Sequence, residues 1–205
     1  MPTTNFPNGI TNNTAQNCLG QMPQEDQTLL HTYSNDFDNY VAGDWTITAT
    51  GSTTQALANG DGGVILITNS AGNNDLVALQ KKGESFIFET GKELFFKCRF
   101  KVSDATKSAF VFGLQVTDTT PFAVSDGVYF SKAAASTAIA FNAYKASTGT
   151  TAASIATLAD NTYITLAFYY DDSGYVNYYA GTDTLNPTFI GRIASTNVPT
   201  TQTTT

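Results

Sequence analysis

Apolar and polar side chains alternate with a period of two along most of this chain. Between Leu94 and Val102, the residues Leu94, Phe96, Cys98, Phe100 and Val102 share one phase, while Lys97, Arg99 and Lys101 take the other. Successive side chains on a strand point to opposite faces, so the pattern predicts a strand with one buried and one wet face. Phe110, Phe112, Leu114 and Val116 repeat it, as do Ile164, Leu166, Phe168 and Tyr170. No segment sustains the 3.6-residue period of a long helix. The expected fold class is all-β, an antiparallel β-sandwich of about ten to twelve strands. Phe96, Phe100, Phe112, Leu114, Ile164, Leu166 and Phe168 are expected to share its core.

The remaining segments are placed by the same reasoning. Trp45, Ile47 and Ala49 alternate with Thr46 and Thr48, and Asn59–Gly63 reads as a turn. Val64–Ile67 is unbroken and apolar, which predicts a short strand buried on both faces. Asn73–Lys81 is expected to be a short helix or loop with Leu76, Val77 and Leu79 inward. Ala146–Ala153, rich in Thr, Ala and Ser, reads as a loose hairpin. Asp171-Asp-Ser-Gly174 turns the strand beginning at Ile164 into a return strand, Tyr175–Ala180. Phe189 and Ile193 suggest a last strand, and the Thr/Gln tail is expected to be disordered. Residues 1–32 hold three prolines, many Asn, Gln and Thr, and few large apolar groups. They cannot bury enough surface to fold alone. They read as an extended arm, either loose or ordered by lying on another protein. The expected organisation is an arm over 1–32, a sandwich over 33–198 and a flexible tail over 199–205.

Composition narrows the function more than it defines it. The 205 residues are 41% hydrophobic, with 14 Phe and 10 Tyr, which is enough to build a core. Only 13% are charged, so the surface is largely neutral and polar, as suits extracellular or particle-bound proteins. A net charge of −7 argues against nucleic acid or anionic lipid as partner. Met1–Ile10 lacks the basic and apolar regions of a signal peptide, and no apolar run reaches the ~20 residues of a membrane span. Cys98 lies on the buried phase of its strand and reads as a small core residue with a free thiol rather than a disulfide partner of Cys18.

No constellation for catalysis stands out. Paired carboxylates for glycoside hydrolysis would need two acids flanking a sugar bond. Glu84, Glu89 and Glu93 have no acidic partner two residues away, and Asp36 and Asp38 read as turn residues. His31 is the only histidine, which disfavours a Ser–His pair or a zinc site. Gly60, Gly62 and Gly63 punctuate a turn rather than cradle a phosphate. Asp61, Asp75, Asp126, Asp171 and Asp172 carry oxygen ligands of the kind calcium uses, but Asp171-Asp172 is more simply a turn. Neither metal nor cofactor is expected, and no residue is assigned as catalytic. Tyr169, Tyr175 and Tyr179 take the phase opposite the core and form a candidate exposed aromatic face, for sheet stabilisation, protein contact or sugar stacking.

Two resemblances add to this reading. Asn35-Asp-Phe-Asp38 followed by Trp45-Thr-Ile resembles the opening strand of concanavalin-A-like jelly rolls. Asn161–Gly181 resembles the laminin-G-like hairpin of that superfamily, with Tyr163 where a Trp is common. Asn5-Phe-Pro-Asn-Gly-Ile10, followed by Tyr33-Ser-Asn-Asp-Phe37, is similar to head proteins of tailed, short-tailed marine phages. The resemblance implies a non-enzymatic virion protein, a capsid decoration or cement subunit made in the host cytoplasm. It would bind the major capsid protein through arm residues Asn5, Phe6, Pro7, Asn8, Gly9 and Ile10, and self-association is left open. A carbohydrate-binding module recognising a host-surface glycan is the alternative. Jelly rolls of this kind close with a long last strand beside the first, and here the chain instead runs into Thr and Gln after Ile193.

Overall fold

The computed structural model describes residues 31–205, apart from 71, 73 and 172, together with the short strand Thr4–Asn5. The described chain is all-β and, one two-residue parallel pair apart, its sheets are antiparallel, with helix confined to the 3-10 turns Ala42–Asp44 and Ser195–Asn197. It divides into two compact units, Met1–Leu79 and Gln80–Thr205.

In the first unit the strands are β1 (Thr4–Asn5), β2 (Trp45–Thr50), β3 (Thr53–Ala58), β4 (Gly60–Asp61) and β5 (Val64–Asn69). β3 and β5 pair antiparallel over six positions, and the chain reverses between them through Asn59–Gly63. β1 and β4 form a short parallel pair, Thr4 with Gly60 and Asn5 with Asp61. Two expectations are corrected here. Val64–Ile67 is a strand but is not buried on both faces, since Leu66 and Ile67 are exposed. The segment expected as a helix or loop is a strand, β6 (Leu76–Lys81), which carries the chain from the first unit into the second.

The sandwich lies in the second unit. Its strands are β7 (Phe86–Ile87), β8 (Leu94–Phe100), β9 (Phe110–Gln115), β10 (Gly127–Lys132), β11 (Ala138–Lys145), β12 (Thr148–Thr157), β13 (Ile164–Tyr170), β14 (Tyr175–Thr182), β15 (Thr188–Ala194) and β16 (Thr203–Thr204). β9 to β12 form one four-stranded sheet in sequence order. β13, β14 and β15 run as a second meander, and β8 joins it beside β13. The chain thus starts in one sheet, builds the whole of the other, and returns. The core gathers Leu114, Val128, Phe130, Ile139 and Phe141 from the first sheet with Ile164, Leu166, Phe168, Val176 and Ile193 from the second. Phe96, Phe100 and Phe112 are half-buried and pack against it. All seven residues expected in the core from their phase are therefore there. Phe168 is at the centre of the aromatic packing, with ring centroids of Phe96, Phe141 and Phe130 at 5.1, 5.7 and 6.2 Å. Burial pushes the Cys98 thiol up to about 12, with a hydrogen bond to the Leu166 backbone partly offsetting it. Cys98 is a free thiol.

Two features escape the local pattern. The segment expected as a loose hairpin is the ten-residue strand β12, joined to β11 by a two-residue turn in which Ala146 and Ser147 both have positive φ. Such a turn ordinarily takes Asn and Gly, because L-residues strain there. Here a neighbouring loop holds it: Ala146 N donates to Asp126 Oδ1 at 2.7 Å, and Ser147 N donates to the Ser125 carbonyl at 2.9 Å. The second feature corrects the expected flexible tail. β16 pairs antiparallel with β7, and Thr205 exchanges backbone hydrogen bonds of 3.0 and 3.4 Å with Gln115 of β9. The end of the chain lies between β7 and β9 and extends the first sheet, with Val198 and Thr204 fully buried. Repetitive composition concealed this, because a strand needs partners more than it needs large side chains.

Candidate interaction surface

The outer face of the sheet formed by β8, β13, β14 and β15 is the place where aromatic and charged side chains collect. Its rows follow from the register. Phe95, Tyr169, Asn177 and Arg192 lie side by side, and the next row holds Lys97, Ala167, Tyr179 and Phe189. Arg99 and Thr165 continue the pattern. Each of these residues takes the phase opposite Leu94, Phe96, Leu166, Phe168, Val176 and Tyr178, which pack into or against the core.

Tyr169, Tyr175 and Tyr179 do stand on one face, as their spacing predicts. Tyr175 is exposed, and the other two are half-buried. Their environments differ. The Tyr169 hydroxyl donates to the Glu93 carboxylate, and this bond above all pushes the phenol up to about 12. Tyr175 lies under the Arg192 guanidinium, 4.1 Å from the ring centre. Tyr179 meets Phe189 edge-on, with centroids 5.7 Å apart. Cations lie against aromatic rings in this way because the ring quadrupole attracts them. Arg99 sits 3.9 Å over the Tyr163 ring, and the Lys101 ammonium approaches the same ring at 4.9 Å.

Sequence reasoning missed three members of the face. Phe95 is the only apolar residue on the wet phase of β8, and it is 63% exposed. That mismatch was readable. Phe189 is 57% exposed although period-two counting puts it on the same phase as the buried Ile193. The reason is an irregularity in the β14–β15 pairing between Tyr178 and Tyr179, which leaves Ile190 without a partner and flips the phase of the strand. Arg192 followed from neither pattern nor composition, since its place over Tyr175 depends on the same register.

Several of the acidic candidates accept hydrogen bonds within their own turns, and Glu84 and Asp126 accept from backbone amides of distant loops. Phe37 N donates to Asn35 Oδ1 at 2.8 Å and Asp38 N to Asp36 Oδ1 at 3.3 Å. Glu84 Oε1 accepts from Thr117 N at 3.2 Å. Asp75 accepts from the Ser70 hydroxyl, and Asp126 from Ala146 N. Asp171 Oδ1 accepts from Ser173 N and Oγ, and its Oδ2 from Asn177 Nδ2 at 3.0 Å. Those bonds to Ser173 hold its carboxyl below the usual range. Gly174, at φ 97°, completes that turn. Among the described residues no three His, Cys, Asp or Glu side chains converge as a metal site. Of the expected arm contacts, Asn5 belongs to β1, and Phe6, Pro7, Asn8, Gly9 and Ile10 lie outside the described residues, as do Asp172 and Cys18.

Comparison of the chain with protein-family models, with curated proteins and with solved structures finds no match.

Proposed function

We propose that this chain is a non-enzymatic structural protein of a virus particle: a decoration or cement subunit on the head of a tailed phage, bound to the major capsid protein. The observation that supports the reading is the outer face of the β8/β13–β15 sheet. Phe95, Tyr175 and Phe189 are exposed there beside Arg99 and Arg192. Aromatic rings and arginine are the residue types that protein interfaces favour and ordinary surfaces do not. The short resemblance of Asn5–Ile10 and Tyr33–Phe37 to phage head proteins supplies the kind of partner, and the largely uncharged surface suits a protein held on a particle. In this reading the sandwich is a rigid body with a job of attachment, and the arm adds reach.

Mixing the purified chain with empty capsids of the virus that encodes it, followed by sedimentation, tests the reading. Saturable co-sedimentation supports it, and a chain left entirely in the supernatant rejects it. Replacing Asn5–Ile10 with Gly and Ser in the full chain then tests the arm, since undiminished binding would remove those residues from the contact. A second reading, a carbohydrate-binding module, is favoured by one arrangement. Tyr175 under Arg192 offers a flat ring beside a fixed cation, which suits a sugar ring bearing an acidic group. Binding to a glycan array without binding to capsids would select it.

A further inference from the structure

The proposed function leaves open which surface of the partner the sandwich would meet, and the distribution of charge bears on this. Lys97, Arg99, Lys101 and Arg192 are all exposed on or beside the outer face of the β8/β13–β15 sheet. Among the described residues the acidic ones there are Glu93, Asp171 and Asp183. The first two carboxylates are engaged, Glu93 by the Tyr169 hydroxyl and Asp171 by Ser173 and Asn177, and the Asp183 amide donates to the Tyr163 carbonyl. Four basic residues thus meet three acidic ones among the described residues, a local balance of +1. Six basic and eleven acidic residues remain elsewhere among the described residues, a balance of −5. A face of this sign on a chain of the opposite sign selects an acidic occupant and orients its approach.

The apolar part of the face says what else that occupant carries. Phe95 and Phe189 sit on the two edge strands of the sheet, β8 and β15, with β13 and β14 between them. At the usual strand spacing they are about 15 Å apart. Neither ring has a hydrogen-bonding group, and of the polar groups between them the Tyr169 hydroxyl bonds Glu93 and the Asn177 amide bonds Asp171. Phe95 and Phe189 are bare phenyl rings, and apolar protein side chains cover such rings more fully than the hydroxyls of a sugar do. A second copy presenting the same face would bring like charges together. An apolar protein surface ringed by carboxylates satisfies both the rings and the cations.

Resting on the capsid reading above, we propose that the outer face of the β8/β13–β15 sheet docks an acidic, partly apolar patch of the major capsid protein. Phe95 and Phe189 anchor the contact, and Lys97, Arg99, Lys101 and Arg192 pair with carboxylates around it. The arm then adds to an attachment that this face already makes.

The test uses the full chain and empty capsids of the encoding virus, with bound copies counted after sedimentation. Wild-type binding falls steeply between about 0.05 and about 0.5 M salt, because exposed charge pairs are screened. Lys97→Gln/Arg99→Gln/Arg192→Gln and, separately, Phe95→Ser/Phe189→Ser each lower affinity by about tenfold or more. Far-UV circular dichroism and the thermal midpoint stay at wild-type values, because both sets are on the surface. If both variants bind as wild type does and salt has no effect, the face is not the docking surface, and the capsid reading survives without it. If the wild-type chain does not bind capsids at all, the capsid reading and this inference fall together. Two further results overturn the inference by naming another occupant. One is wild-type binding to polygalacturonate that the same variants lose, with capsids unbound. The other is a self-associated species in sedimentation equilibrium that the same variants dissociate.

Discussion

β5 and β13 make an instructive pair. β5 opens Val64-Ile-Leu-Ile67, four large apolar residues in a row, yet Leu66 is 53% and Ile67 40% exposed. β13 opens Ile164-Thr-Leu-Ala-Phe168, a less apolar sequence, and all five residues are buried. The difference lies in their neighbours. β13 has β8 on one side, β14 on the other and the second sheet across the core. β5 is paired with β3 alone. Among the described residues of the first unit none is fully buried, whereas every member of the hydrophobic core belongs to the second. Apolar sequence is a demand for burial, and topology decides whether the demand is met.

The comparison has measurable consequences, beginning with the largest. Phe168→Ala removes the ring at the centre of the core and is expected to cost about 4 kcal/mol in urea unfolding. A loss under about 1 kcal/mol would show that the second unit is not held by this core. Asp126→Ala leaves the Ala146 amide without its partner in a strained turn, at a cost of about 2 kcal/mol. If stability is unchanged, the β11–β12 turn holds itself. Leu66→Ser is expected to shift stability by less than about 0.5 kcal/mol, despite placing a hydroxyl in an apolar run. A larger loss would mean that β5 is covered in solution and that the contrast with β13 is false.

The smallest expected effect is chemical. With its thiol at about 12 rather than the ordinary 9.0, Cys98 holds about a thousandfold less thiolate at neutral pH than a free cysteine. Iodoacetamide at neutral pH should leave the Cys98 peptide unmodified in the native chain and alkylate it in urea, as read by mass spectrometry. The folded value lies above the unfolded one. Any stability linked to this group is therefore intact below pH 9 and is lost as pH rises from about 9 toward 12. Rapid native labelling would show that the β8–β13 pair opens readily.

Much of the second unit was legible because its strands obey one rule. In Leu94–Phe100 and Ile164–Tyr170, the two phases differ in character, and a one-residue slip would expose the core. What was not legible depends on distant partners. β12 has small side chains and a turn without glycine, and it is held by Asp126, twenty residues earlier in the chain. β16 has no apolar residue. The tyrosines of the outer face could be placed by counting from the strand ahead of them. Phe189 could not, because one unpaired residue in β15 breaks the count. The charge balance of that face was half visible in the row Lys97, Arg99 and Lys101, and Arg192 joined it only through register.

The position of β16 also sets an order in time. The Thr204 hydroxyl donates to the Phe86 carbonyl 118 residues away, and Thr205 reaches across 90 residues to Gln115. Closing a flexible loop of that length before anything else forms would cost about 4 kcal/mol in chain entropy, against very few hydrogen bonds gained. The β9–β12 and β13–β15 meanders join neighbours through short loops and carry no such burden. They assemble first and shorten the path between the distant ends, and β16 then enters a slot already built. The last step in folding is the first to reverse, so the amides of Ser85 and Thr205 should exchange with solvent well before those of β13. The sheet seals at the seam between β7 and β9, and the unit unzips from there.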